Sequence, residues 1–253
     1  MMNTILEIKD LKKNYRNFSL NSISFDVKEG EIVGFIGPNG SGKSTTMQIL
    51  MGIREKDGGT IRFDGKEVFE DKPEYKQKIG YVGESLDFYE KVKLRKIYQF
   101  VRSLYPDWND ELFHELIRTF DLSLDKKNRE NSKGMKVKFC LALALATNPK
   151  LLILDEPTSG LDPIIRIEVL NILESLSTQK NTAILFSSHI TEDLEKLADR
   201  FVFIYRGKLI RELTREAVIK LNKPLDILLK QFMDEEDNAD GTDKTFDFER
   251  FVV

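Results

Sequence analysis

Apolar and polar positions alternate in two short N-terminal stretches, Ile5-Leu6-Glu7-Ile8 and Ser22-Ile23-Ser24-Phe25-Asp26-Val27. That period of two predicts half-buried strands. Lys28-Glu29-Gly30 reads as a turn, and Glu31 to Ile36 as a short apolar strand running into a glycine-rich loop. A helix is predicted from Lys43 to Met51. Asp57-Gly58-Gly59 reads as a hairpin-like turn before a strand at Thr60-Ile61-Arg62-Phe63.

The pattern changes in the middle of the chain. Leu94, Ile97, Tyr98, Val101 and Leu104 recur at helical spacing, as do Leu112, Phe113, Leu116, Ile117 and Phe120. Between them, Asn109 or Asp107 is a candidate N-cap. A mainly helical insertion is therefore expected over about 86–146. Strands are then predicted at Leu151 to Leu154, Thr182 to Phe186 and Phe201 to Tyr205. A helix face formed by Ile165, Val169, Ile172, Leu173 and Leu176 lies between the first two. Strands alternating with helices predict an α/β fold with a mainly parallel sheet covered on both faces.

Composition narrows the partners. The 253 residues are 41% apolar, enough for a large core, and 32% charged, as on an ordinary soluble surface. With 39 basic and 42 acidic residues, non-specific nucleic-acid binding is not expected, and no nucleic-acid partner is assigned. The single cysteine, Cys140, permits no internal disulfide and reads as a small buried hydrophobe. No signal peptide is read at the N-terminus. The longest apolar run, Phe139 to Ala146, falls far short of the roughly 20 residues that span a bilayer. If the protein serves a membrane, a partner must do the crossing. The last 20 residues hold eight acidic and two basic side chains. The chain is accordingly divided into a domain at 1–233 and an acidic, flexible tail at 234–253.

Gly37-Pro38-Asn39-Gly40-Ser41-Gly42-Lys43-Ser44-Thr45 satisfies G-x-x-x-x-G-K-[ST], with an apolar strand before it and a helix after. Glycines let such a loop curl so that its amides face phosphate oxygens, and the helix N-terminus adds positive potential. Lys43 is expected on the β- and γ-phosphates and Ser44 on Mg²⁺. A second motif is the apolar strand Leu151-Leu152-Ile153-Leu154 ending in Asp155-Glu156. Asp155, at the carboxyl end of a strand, is placed to hold Mg²⁺. Glu156 is placed to polarise a water for in-line attack on the γ-phosphate.

With these two motifs, the chain resembles the nucleotide-binding domain of ABC transporters over about residues 4–215. That resemblance implies a P-loop NTPase with an N-terminal antiparallel β-subdomain and a helical insertion, hydrolysing ATP with Mg²⁺. Further matches follow in order. Tyr15 matches the aromatic that stacks on adenine. Glu84 falls where the family usually has glutamine; as a carboxylate it remains a candidate metal ligand. Asn131-Ser132-Lys133-Gly134-Met135 aligns with L-S-G-G-Q through Ser132 and Gly134 only. In the family this segment opens a helix that caps the γ-phosphate bound by the other subunit, and Lys133 adds a cation there. Ser159-Gly160-Leu161-Asp162 matches the loop crossing between subunits, and His189 the histidine that contacts the γ-phosphate. The resemblance implies catalytic roles for Glu156, His189 and Lys43. It also implies a homodimer, or a heterodimer with a paralogous ATPase, closing around two ATP molecules. A separate transmembrane permease is expected to place the chain in the cytoplasm on the inner face of the membrane. The Tyr-Pro-Asp-Trp-Asn segment, the Ser-Lys-Gly-Met core and Glu84 look like a subgroup of bacterial exporters. Some of these handle antimicrobial or amphipathic peptides, among them the phenol-soluble modulin exporter.

Three other readings compete. A non-transport ABC ATPase of DNA repair or translation would carry long coiled coils or a second cassette, and neither is visible. A P-loop GTPase needs N-K-x-D. Asn222-Lys223-Pro224-Leu225-Asp226 misses it by one residue and reads as a helix boundary at Pro224. A protein that binds ATP without turning it over is opposed by the set Asp155, Glu156 and His189.

Overall fold

In a computed structural model, residues 3–68, 73–83, 88–180 and 182–239 are described, with backbone alone at 73 and 177–180. Among the described residues, ten strands and eight α-helices run in the order β1 (Thr4–Tyr15), β2 (Phe18–Lys28), β3 (Ile32–Ile36), α1 (Lys43–Leu50), β4 (Gly58–Phe63), β5 (Lys66–Glu67), β6 (Ile79–Val82), α2 (Leu94–Leu104), α3 (Asp110–Thr119), α4 (Lys133–Ala146), β7 (Leu151–Asp155), α5 (Pro163–Lys180), β8 (Ala183–Ser188), α6 (Thr191–Leu197), β9 (Arg200–Tyr205), β10 (Lys208–Thr214), α7 (Arg215–Leu221) and α8 (Leu225–Ala239).

The strands form two sheets. A four-stranded antiparallel sheet has the order β2-β1-β4-β5, and a six-stranded sheet the order β10-β9-β3-β8-β7-β6. In the larger sheet only β10 is antiparallel to its neighbour. Its strands are buried on both faces, which explains their continuous apolar sequences. Val33, Phe35, Leu151, Ile153, Leu185 and Val202 point toward the antiparallel sheet and α1. Ile36, Leu152, Leu154, Phe186 and Phe203 point the other way, against α4, α5, α6 and α8. The helical insertion has its own core, with Phe113 and Phe139 fully buried, and α4 contributes to both that core and the sheet core. A helix used on two sides must be apolar nearly all round, as the run from Phe139 to Ala146 is.

Asn109, one of the two candidate caps, accepts a hydrogen bond from the Leu112 amide at 2.9 Å and opens α3. The boundary at Pro224 separates α7 from α8, with Asn222 in the left-handed conformation as the C-cap of α7. Two expectations need correction. Gly58-Gly59 is not a hairpin turn: both residues lie in β4, and Gly58 pairs with Lys12 of β1. The ladder slips between Lys9 and Lys12. Gly59 (φ 83°) absorbs that slip; a Cβ there would sit 2.3 Å from the Asp10 carbonyl oxygen. The acidic segment also does not start as an appendage at Asp234, because α8 continues to Ala239. Glu235, Glu236 and Asp237 pair there with Arg211, Lys208 and Arg206. Residues 240–253 lie outside the described residues.

Candidate functional site

Three parallel strands converge at their carboxyl ends. β3 runs into the glycine-rich loop, β7 ends at Asp155, and β8 lies between them and leads to His189. Asp155 is therefore one strand removed from the loop strand, and Ser187 of β8 stands between: its hydroxyl donates to Asp155 Oδ1 at 2.7 Å. Asp155 is 2% exposed.

The loop itself is held open by glycine. A Cβ at Gly37 would lie 2.3 Å from the Ile204 carbonyl oxygen, and one at Gly42 (φ 113°) 2.5 Å from Leu20 Cδ2. Gly42 precedes the first residue of α1, so amides and the helix N-terminus face the same space. A cavity of about 760 Å³ opens there, lined among others by Asn39, Gly40, Gly42, Lys43, Ser44, Thr45, Glu156, Ser159 and His189. Gly37, Pro38 and Ser41 do not line the cavity. Lys43 Nζ donates to the carbonyl oxygens of Gly37 at 2.7 Å and Pro38 at 3.3 Å.

Glu156 occupies a left-handed backbone position (φ 53°), a strained choice for a side-chain-bearing residue that turns the carboxylate into the cavity. Its amide is held by the Ser187 carbonyl and hydroxyl, both at 3.1 Å. Oε2 accepts from the His189 amide at 3.1 Å and lies 2.6 Å from His189 Nδ1. Among the described residues, Oε1 is buried without a hydrogen-bond partner, 3.5 Å from Lys43 Nζ. An ionised carboxylate keeps open acceptor capacity there, which is what binding a water and receiving its proton requires. With Nδ1 turned to Glu156, His189 Nε2 remains available for another partner.

The other predicted residues lie apart. Tyr15 is outside the cavity wall, which Asn17 and Phe18 supply instead. Tyr15 stacks on Phe18 with centroids 6.3 Å apart, beneath the Arg54 guanidinium at 5.6 Å. Sequence reasoning missed Phe18. The available signal was the spacing of two aromatics across the Arg16-Asn17 turn, which makes them a cross-strand pair. Ser132 caps α4, its Oγ accepting from the Met135 amide at 3.2 Å. Gly134 is buried against α5, where a Cβ would lie 2.7 Å from Ile165 Cγ2. Lys133 is exposed and reaches over Gly160. None of these three lines the cavity. Glu84 lies outside the described residues. Asn222 to Asp226 joins α7 to α8 and takes no part in the cavity. Among the described residues, no helix is long and apolar enough to cross a membrane.

The chain is similar to known proteins of one family. Residues 20–159 match the family model described as ABC transporter. The chain is 35% identical over 225 residues to the bacitracin transport ATP-binding protein BcrA of Bacillus licheniformis, covering 88% of this chain and 74% of that one. It is 38% identical over 210 residues to the lantibiotic transport ATP-binding protein SrtF of Streptococcus pyogenes, covering 82% and 90% respectively. A solved ATP-binding subunit of an ABC transporter superposes with a TM-score of 0.81 at 30% identity, covering 90% of this chain and 99% of that one.

Proposed function

The chain belongs to the ABC transporter family as an ATP-binding and ATP-hydrolysing subunit, and from that premise we propose how its site works and what it powers. The amides of residues 39, 40 and 42–45, together with the Lys43 ammonium, bind the β- and γ-phosphates. Ser44 and Asp155, both oxygen donors, suit Mg²⁺, which when bound neutralises phosphate charge; Glu84 joins them on sequence grounds alone. Glu156 orients the attacking water and accepts its proton. His189 fixes Oε2 of Glu156 and turns its far nitrogen to the γ-phosphate. The observation that carries this reading is the Glu156 carboxylate: one oxygen is tied to His189, and the other is buried, without a hydrogen bond among the described residues, and 3.5 Å from Lys43 Nζ. Tyr15 and Phe18 together offer the base an aromatic surface.

Ser132 and Gly134 lie away from the cavity of their own chain. That supports a composite site in which a second copy, or a paralogue, supplies them head to tail. Ser132→Arg should then abolish turnover while leaving ATP binding by the monomer intact. Loss of monomer binding would contradict the composite site.

A membrane permease subunit fits the cleft of about 390 Å³ between β6 and the helical insertion, lined by Tyr81, Phe88, Val101 and Tyr105 among others. Phe100 and Leu104 are exposed on the neighbouring α2. A chain docked in this way would lie in the cytoplasm, on the inner face of the membrane. The relatives named for bacitracin and lantibiotic transport support export of peptides or other amphipathic toxic compounds. Such a peptide should raise the ATPase rate of the reconstituted complex; indifference to all of them would remove the substrate assignment.

A further inference from the structure

Asp193 is a carboxylate with no solvent exposure, four residues past His189 in the first turn of α6. Burying such a group is unfavourable unless it is fully paired, and it takes no part in the chemistry described above. Its two oxygens have separate partners. Oδ2 accepts from the Thr158 hydroxyl at 2.7 Å, and Oδ1 from Arg166 Nε at 2.6 Å. Thr158 is itself 1% exposed and lies two residues past Glu156. Arg166 is on α5, its amide bonded to the Asp162 carbonyl at 2.9 Å, and its Nη2 donates to Glu192 at 3.2 Å.

The segment 156–158 is thus fastened to the segment 189–193 twice: by Glu156 to His189, and by Thr158 to Asp193. Arg166 adds a third arm, joining both to the helix that follows Ser159-Gly160-Leu161-Asp162. From this we infer that Asp193 is a positioning residue, which holds the Glu156–His189 pair in register and links it to the loop 159–162 through Thr158 and Arg166. The inference rests on the proposed roles of Glu156 and His189. A buried charged acceptor serves this purpose better than a neutral one, because hydrogen bonds to an ion are shorter and stronger and set the geometry of both donors. The same shell of contacts makes any movement of α5 felt at the Glu156 carboxylate.

Thr158→Val tests the link most gently. It keeps shape, removes the hydroxyl and leaves Asp193 paired with Arg166, and circular dichroism checks that the fold is retained; Thr158→Ser restores the hydroxyl. Only two histidines are present, His114 and His189, so the His189 imidazole resonance can be followed by NMR in the full chain without turnover. Thr158→Val should move the His189 signal at fixed pH, leave His114 in place, and lower kcat for ATP about tenfold with KM within twofold. Thr158→Ser should do neither. An unmoved His189 signal in Thr158→Val, or a kcat loss equal in the Val and Ser variants, would overturn the inference. A wild-type chain without ATPase activity, alone or with its permease, would instead refute the hydrolytic reading, and the histidine resonance would still decide this one.

Discussion

Gly40 and Gly42 lie two residues apart in the phosphate loop, yet alanine should affect them very differently. Both backbones are left-handed, with φ 77° and 113°. At Gly40 an added Cβ meets nothing within 4 Å among the described residues. The cost of Gly40→Ala is then the backbone term alone, about 1–2 kcal/mol. At Gly42 the Cβ would lie 2.5 Å from Leu20 Cδ2 and 2.9 Å from Phe18 Cζ. Leu20 is fully buried at a strand pairing, so it cannot move aside without disturbing β2. A backbone term of about 1–3 kcal/mol is joined by an overpacking term of about 1–3 kcal/mol. For a chain of this size, each kcal/mol lowers Tm by roughly 2–4 °C. Gly40→Ala should therefore melt a few degrees below wild type, and Gly42→Ala about 4–24 °C below. Because Phe18 would be displaced, Gly42→Ala should also weaken nucleotide binding, measured by calorimetric titration, more than Gly40→Ala. Equal losses of Tm in the two variants would refute the steric argument.

Other consequences follow from particular contacts. Gly134→Ala should destabilise, despite the better helix propensity of alanine, because its Cβ would strike Ile165 Cγ2 at 2.7 Å; adding Ile165→Ala should recover part of the lost Tm, and a further fall would contradict that origin. The Arg102 guanidinium and the Tyr98 hydroxyl hold the Asp110 carboxyl down at about 2, against an ordinary 3.8. A depressed carboxyl stabilises the fold above its unfolded pKa and loses that effect as pH falls through the folded one. Asp110→Asn should thus melt below wild type above about pH 4, and the gap should close as the pH falls toward about 2. A gap independent of pH would show that the ion pair is not its cause.

The parts of the site written in one continuous stretch were legible in the sequence. The spacing of Gly37, Gly42, Lys43 and Ser44 after an apolar strand encodes a loop whose geometry depends only on local backbone freedom. Leu151 to Glu156 similarly encodes a buried strand ending in two acids. What depended on distant pairing was not legible. Nothing in the sequence says that β8 lies between β3 and β7, so Ser187 as the bridge to Asp155 and Glu156 appears only in the fold. The Gly58-Gly59 pair resembles a turn because positive φ is common there. In fact the same freedom serves a slipped strand ladder opposite Asp10. The tail boundary at Asp234 followed charge density, but those acids face Arg206, Lys208 and Arg211 of the β9–β10 hairpin, and solvated charge becomes paired charge at the end of a helix. Tyr15 was assigned by resemblance and lies outside the cavity wall, whereas Phe18, which lines it, required knowing which way a cross-strand pair points.

The central claim, ATP hydrolysis with Glu156 as the group that activates water, is tested most directly by one comparison. Steady-state ATPase activity with Mg²⁺ is measured against protein concentration for wild type and Glu156→Gln, with ATP binding measured in both. The substitution keeps the shape of the side chain and an acceptor for His189 while removing the charged oxygen that faces Lys43. The account predicts a wild-type rate per molecule that rises with concentration, and a variant that binds ATP normally but turns over at least ~100-fold more slowly, as expected for loss of a general base. A variant that hydrolyses ATP at the wild-type rate would contradict it.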